Sequence, residues 1–539
     1  MNYRLNLPDN YSLMYYLYSR FTIAVMLFLL SVSSYAQSFN IKDYGAVGDG
    51  KSISTTAIQK TIDACYKNGG GRVYVPAGIF ITGTVNLKSN INLYLENGAV
   101  LQGSENLKDY QSYSLPQYGI NYYGILYTVN AENVSITGQG TIDGNNKVFY
   151  DFEHAKKMDA NSTKLTRQKE NYRHVASGIG DGPVVPKDRP RQMVIFSQCK
   201  NVQLRDISLL NSPFWTLHFA DCDLVNVNGI RLWSGLLVPN ADGIDVTSCS
   251  NVVIANSDIR SGDDAIAIVG YDHHFEIPGF SGIRHVSENI IVTNCNLQSY
   301  SSGIRIGFLD QNTVRNVHVS HVNITNSTRG IGIFLRDEGS LKNISFSDMT
   351  IETHLRTGDW WGNGEPIHIS AVRGKELVKL GTIKNVSFDN ITCKGENGIL
   401  IYGSDESVIQ DIKFNNISFE LLNSKLNDVA GGNIDMRGAL AEKDQLFQHD
   451  IPGLFAHDVD GLAINNFKLV WDSTITQPYF THGIEVNNFK DVKITNFNGR
   501  AAPSNKNAYR IYLSKGDNVT LDTKDGVHTD GVTGVSVIK

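Results

Sequence analysis

The chain has 539 residues and a formal net charge of −6, spread without a basic block. That length exceeds one ordinary globular core and leaves several domains or a repeat array, and the charge gives no support for nucleic acid as a partner. With 49 Gly and only 13 Pro, and many Asn, Ile and Val, the composition suits short strands joined by tight turns.

The first element is an apolar run after Arg20, "FTIAVMLFLLSVSS", followed by "SYAQS". A positive end, an apolar stretch and a small-residue site predict a signal peptide over 1–36, cleaved after Ala36, with a permanent N-terminal anchor as the alternative. No Cys follows the run, which excludes the usual bacterial lipoprotein attachment. The expectation is a periplasmic or secreted, monomeric protein whose single domain spans 37–539. Next, "STTAIQKTIDACYKNGGG" predicts a helix. Ser54 and Thr55 are its candidate caps, Ile58, Ile62 and Cys65 share one face, and the glycines stop it. A helix there would cover the open end of a solenoid.

From Glu132 onward one unit recurs. "ENVSITGQGTIDG", "KNVQLRDISLLNS" (from Lys200), "DLVNVNGIRLWSG" (Asp223), "SNVVIANSDIRSG" (Ser250), "ENIIVTNCNLQSY" (Glu288), "RNVHVSHVNITNS" (Arg315) and "KNISFSDMTIETH" (Lys342) read alike, and further copies begin at Lys384, Gln410 and Lys490. Each is a β-branched strand, a turn with Asn or Asp, and a second strand. Steps of 23 and 27 residues predominate, and a step of 38 after Ser250 marks an inserted loop. This period predicts an all-β parallel β-helix solenoid; a leucine-rich repeat lacks its Leu spacing here, and a propeller needs a period of roughly 40 or more. In this register Cys199, Cys222 and Cys249 form one column, read as stacked thiols. None of the six cysteines forms a CxxC, which argues against zinc.

Aligned on their strands, Asp242 of "NADGIDV", Asp264 of "SGDDAIAI", Ser302 of "SSGIRIG" and Arg329 of "TRGIGIF" share a column, with Asp263 beside Asp264. Single acids at such turns form Asx-turns. Three on one face must raise at least one pKa, and a protonated acid beside an ionised one is what glycosidic hydrolysis needs. Arg305 falls in the column of Gly332. It is placed either to grip a substrate carboxylate or to neutralise the acids. Trp233 is a candidate for stacking on a sugar or for packing. His273 and His274 lie in the long loop. Two inserts, Asn145 to Arg191 and the stretch from Leu355 with Trp360, Trp361, Glu365 and His368, are expected to wall the binding face or to lie on the surface as flaps.

These motifs carry a resemblance. "FNIKDYGAVGDGKS", "GQGTIDG", "RPRQMVIFSQCKNV", "LLNSPFWTLHF", "NADGIDV" and "SGDDAIAI" resemble glycoside hydrolase family 28, the polygalacturonase-like family, over roughly Phe39 to Arg500. The family's Asn-Thr-Asp motif appears with Ala241 for Thr. The resemblance implies a right-handed parallel β-helix and hydrolysis with inversion, without metal or cofactor. It implies Asp263 as general acid, Asp242 and Asp264 holding and activating water, and Asn240 orienting the cluster. Acid and base would stand ~6.5–9.5 Å apart to admit water and sugar. The family's Gly-His-Gly is Ser301-Ser302-Gly303 here, and its Arg-Ile-Lys is Gly332-Ile333-Phe334. Ser302 and Arg305 are therefore the substrate-contact candidates in place of the lost residues. The expected activity is cleavage, exo in mode, of an acidic plant or algal polysaccharide of pectin type. The alternatives are a β-helix polysaccharide lyase or epimerase, and a β-helix that only binds glycans.

Overall fold

A computed structural model describes residues 37–115, 119–157, 162–174, 180–271, 286–309 and 311–538. The expected cleavage site after Ala36, and the pair His273 and His274, lie outside the described residues. No helix among the described residues is long and apolar enough to cross a membrane.

The fold is a parallel β-helix: among the described residues a single sheet of 34 strands winds through the chain, most strands hydrogen-bonded to their equivalents one coil before and after. The repeat units stack in the expected register, with Val202 on Val225, Val225 on Val252, Val252 on Ile290 and Ile290 on Val317. Alternate residues point inward and form one continuous apolar core. The cause is strand geometry: with side chains alternating in direction, an Ile or Val every second position buries one face completely.

Asparagine fixes the corners. Asn201, Asn251, Asn289, Asn316, Asn343 and Asn385 all adopt left-handed backbone, with φ of 56° or 57°, a region in which Asn is tolerated far better than other residues with a Cβ. Their amides bond along the stack: Asn316 donates to Asn289 at 3.1 Å, Asn343 to Asn316 at 3.1 Å and Asn385 to Asn343 at 3.0 Å. One rung departs. Leu224 holds the same corner with φ 58°, and Asn251 donates to the neighbouring Asp223 instead, at 2.8 Å.

Helix α1, Thr55–Lys67, lies at the N-terminal end with Ile58, Ile62 and Cys65 buried, as the periodicity predicts. Its cap differs from expectation. Ser54 occupies the N-cap position, but its hydroxyl makes no bond to the helix and accepts from the Val47 N–H at 3.2 Å. The Thr55 hydroxyl accepts from Gly83 at 2.8 Å. Both side chains tie the helix to the solenoid rather than satisfy its own first turn. All six cysteines are buried and free, and the Cys222 N–H donates to the Cys249 sulfur at 3.2 Å, so the thiol column exists as read.

Further along the core, Phe388 stacks between Phe346 and Phe414, with ring centroids at 5.2 and 4.8 Å. Removing the middle ring leaves a cavity that neighbouring coils cannot fill. Phe388→Ala is expected to cost about 3–5 kcal/mol, read as a lowered melting temperature in thermal unfolding. An unchanged Tm would show that the column collapses onto the gap.

Candidate active site

One face of the solenoid departs from simple inside-out alternation. Its strands are β1 Leu217–Ala220, β2 Ile244–Thr247, β3 Ile266–Tyr271, β4 Ser302–Phe308, β5 Arg329–Leu335 and β6 Ile367–Ala371. In β1, β2, β5 and β6 every residue is buried, outward-facing ones included. Something covers this face, and the inserts supply it.

The first insert forms a hairpin in which Tyr150–Ala155 pairs antiparallel with Val184–Pro186. The Tyr150 hydroxyl donates to the carbonyls of Pro213 at 2.5 Å and Pro239 at 3.2 Å. Arg173, fully buried, donates to Trp360 O at 3.0 Å and to Asn363 Oδ1 at 2.5 Å, which locks the first insert onto the second. Asn363 in turn donates to Asn433 O at 2.8 Å, in a third insert whose strands Asn433–Asp435 and Leu446–Gln448 pair. Sequence reasoning missed this third wall. Its one signal was the 50-residue step between Ile412 and its stacking partner Leu462.

Between the walls lies a cavity of about 290 Å³. Its floor carries the acids. Asp242 and Asp264 precede β2 and β3, whose Ile244 and Ile266 pair, so the column predicted for them is formed; it continues through Ser302, which pairs with Arg329. Tight backbone approach places Asp263. A Cβ on Gly262 would stand 2.1 Å from the Val238 carbonyl oxygen, so only glycine lets the chain pass there.

Asp242, Asp263 and Asp264 each put one oxygen within 4.8 Å of the others. At their nearest oxygens the acids therefore stand closer than the ~6.5–9.5 Å expected of acid and base, because Asp263 and Asp264 are neighbours in the chain and Asp242 precedes the strand that stacks on theirs. Asp263 is 8% exposed, Asp242 3% and Asp264 4%. Burial, and then the charge of Asp264, push the Asp263 carboxyl up to about 7, against the pull of Arg305 and of N–H bonds from Asn240 at 3.2 Å and Asp264 at 3.0 Å. Burial, with Asp263, Asp245 and Asp264 around it, also drives Asp242 well above the usual carboxylate range, and its Oδ1 has no partner. Asp264 is held differently. Its Oδ1 accepts from the Ser301 hydroxyl at 2.8 Å and the Ser302 N–H at 3.0 Å, and its Oδ2 from Arg305. The cluster therefore sets two acids whose affinity for protons is raised beside a third whose oxygens are engaged by donors.

Of the two readings of Arg305, the structure places it against the acids. Its Nε bonds Asp264 and its Nη1 donates to Gly307 O at 2.8 Å. Asn240 reaches Asp263 through its backbone N–H, while its side-chain oxygen accepts from Arg189 at 3.1 Å. Ser302 acts through its N–H and also takes a long contact, 3.4 Å, from Arg329. Trp233 is not among the cavity's lining residues. It is stacked between the guanidinium groups of Arg231 at 4.8 Å and Arg260 at 4.2 Å, on a neighbouring face.

Other lining residues went unseen in the sequence, among them Trp215, Phe308, Arg336, Asp435 and Arg437. Trp361 lines the cavity at 37% exposure, against Phe308, whereas Trp360 is packed inside the wall. Glu365 and His368 lie beneath rather than in the opening. Burial opposes its charge, but Arg329 and His368 hold the Glu365 carboxyl down at about 2. Asp245 is the fourth acid of the group. It is raised well above the usual range by burial and sits in the same outward column as Arg305.

A β-helix with three clustered aspartates at the base of a walled cavity defines a class, and comparison with known proteins agrees. The model of glycosyl hydrolases family 28 matches residues 180–430, which hold the whole cluster. A "probable polygalacturonase" of Vitis vinifera is 30% identical over 257 residues, 45% of this chain and 47% of that protein. An exo-poly-alpha-D-galacturonosidase of Dickeya chrysanthemi is 29% identical over 250 residues, 42% of this chain and 41% of that protein. The match thus spans less than half of either relative. Among solved structures, a hyperthermoactive exopolygalacturonase from Thermotoga maritima superposes with a TM-score of 0.54 over 72% of this chain and 88% of that one, at 24% identity, which establishes the shared fold.

Proposed function

We propose that the protein is an exported glycoside hydrolase that cleaves a uronate-containing, pectin-type polysaccharide from a chain end. The observation that carries this is the buried acid cluster on the cavity floor, with Asp263 poised near 7. Asp263 donates its proton to the glycosidic oxygen as the bond from the anomeric carbon breaks. Water attacks that carbon and gives a proton to the carboxylate of Asp264, with Asp242 holding the water beside it. The relatives named as galacturonan-cleaving supply the substrate class. The three interlocked walls support exo action, because they make a pocket where an endo enzyme needs an open groove.

The test is a panel of polygalacturonate, oligogalacturonides, rhamnogalacturonan and algal acidic polysaccharides, scored by new reducing ends. Products carrying an unsaturated uronate, seen by ultraviolet absorbance, would replace hydrolysis by a lyase. No cleavage, with oligosaccharide still bound by Asp263→Asn, would leave a glycan-binding β-helix. Inversion is read from the first-formed anomer by proton NMR. Retention would instead mean double displacement.

A further inference from the structure

Four arginines line the cavity, and three of them are neutralised within the protein. Arg305 pairs with Asp264. Arg329 pairs with Glu365 at 2.6 Å. Arg437 pairs with Asp435 at 2.9 Å and Asp359 at 2.8 Å. Arg336 is treated otherwise. It is 1% exposed, and its bonds go to neutral acceptors: Nη1 donates to Leu335 O and Ser370 O, both at 3.1 Å, and Nη2 to Ser370 Oγ at 2.9 Å. Among the described residues no carboxylate pairs with it, and its Nε–H has no partner.

A buried cation without a counter-charge is costly, and proteins rarely keep one idle. Space has been kept beside it. Gly438, with φ 88°, faces the Nε: a Cβ there would stand 3.7 Å from that nitrogen and 3.0 Å from the Phe308 ring. On the other side Phe334 occupies the position of the family's lost Lys, flanked by Arg329 at 4.8 Å and Arg336 at 5.4 Å. The donors left over, Nε–H and one Nη2–H, form one edge of the planar guanidinium, the edge that matches two oxygens of a carboxylate. Burial and the neighbouring Arg329 bring the Arg336 pKa down to about 9, against the weaker pull of Asp435, which is itself paired with Arg437.

We propose that Arg336 is the specificity-determining residue of this cavity and that it takes the carboxylate of a substrate sugar as its counter-ion. The proposal rests on the uronate-hydrolase reading of the site. It assigns carboxylate recognition to Arg336 rather than to Arg305.

Calorimetric titration in the Asp263→Asn background tests it, with digalacturonate and its carboxyl-reduced counterpart as probes. Arg336→Met is expected to weaken digalacturonate about tenfold to a hundredfold and the reduced disaccharide by less than about threefold. Without ligand, its melting temperature should equal or exceed that of the parent, because an unpaired buried charge has been removed. Arg336→Lys keeps the charge without the fork. It should fold and prefer the charged probe, about tenfold more weakly than the parent. Equal losses on both probes together with a lowered Tm would make Arg336 a purely structural residue and overturn the proposal. So would a Lys variant that binds both probes as the parent does. If the parent prefers the charged probe and Arg336→Met keeps that preference, only Arg336 falls; if the parent binds neither, the uronate reading itself falls.

Discussion

Replacing Asp263 by Asn is expected to lower turnover by about 10²–10⁴-fold, the usual contribution of one general acid–base group. Oligosaccharide affinity should be left largely intact, since the amide preserves shape and its single oxygen can keep one of the two N–H bonds, from Asn240 or from Asp264. In the wild type the acid must be protonated to act, so the rate should fall on the alkaline side as pH passes about 7, where Asp263 loses its proton. Stability carries an independent signature. The folded-state pKa lies above the unfolded value of 3.8, so between that value and about 7 the folded protein binds more protons than the unfolded chain. Wild-type stability from this group therefore falls as pH rises through that window. The substituted amide does not titrate, so Asp263→Asn should melt higher than wild type at pH 8, with the gap closing near pH 4. An unchanged rate, or a variant less stable at pH 8 than at pH 4 relative to wild type, would remove Asp263 from the acid role.

Replacing Arg305 by Ala should affect both chemistry and fold. The side chains of Arg305 and Asp264 are 11% and 5% exposed, and deleting one partner of a buried pair typically costs about 3–5 kcal/mol because the other is left uncompensated. Arg305 also holds down the carboxyls of Asp242, Asp245 and Asp263. Its loss should move the alkaline limb of the pH–rate profile, set by Asp263, to higher pH. Since it bonds Asp264 and a backbone carbonyl, activity on an oligogalacturonide and on its carboxyl-reduced form should drop together, by about tenfold to a hundredfold, the worth of one charge-assisted bond. A loss confined to the charged substrate would return carboxylate binding to Arg305 and take it from Arg336.

What could be read in the sequence was what repeats. The solenoid, the thiol column and the Asp242–Asp264 column follow from strand register, which a 27-residue period exposes directly. Asp245 was within reach of the same argument. It stands three residues after Asp242 on the outward phase, stacked through Ala267 onto Arg305, but the motif drew attention to its first acid alone. Arg336, Asp435 and Arg437 were out of reach. Arg336 follows an ordinary buried strand, and the other two lie in an insert whose place over the site depends on Asn363 and Arg173, residues far away in the chain. Non-periodic backbone held by distant side chains leaves no local pattern. Trp233 shows the converse: its place just before the Asp242 turn was legible, but not that two arginines already lie over its ring.

The asparagine corners have a consequence for how the molecule comes apart. Each coil rests only on its two neighbours, so the protein behaves as a row of coupled units rather than as a ball with one centre. Loosening starts where a coil is least covered, and among the described residues the strand Val527–Val537 is already half open to solvent. Such fraying travels inward one coil at a time, and where an Asn holds the corner the coil must surrender its amide bond as well as its strand pairing. The acids lie well inside the row, with coils to either side. A frayed tip thus shortens the rod while the geometry at the acids survives, and the gain or loss of a whole coil near the tip would leave the distances among Asp242, Asp263 and Asp264 as they are.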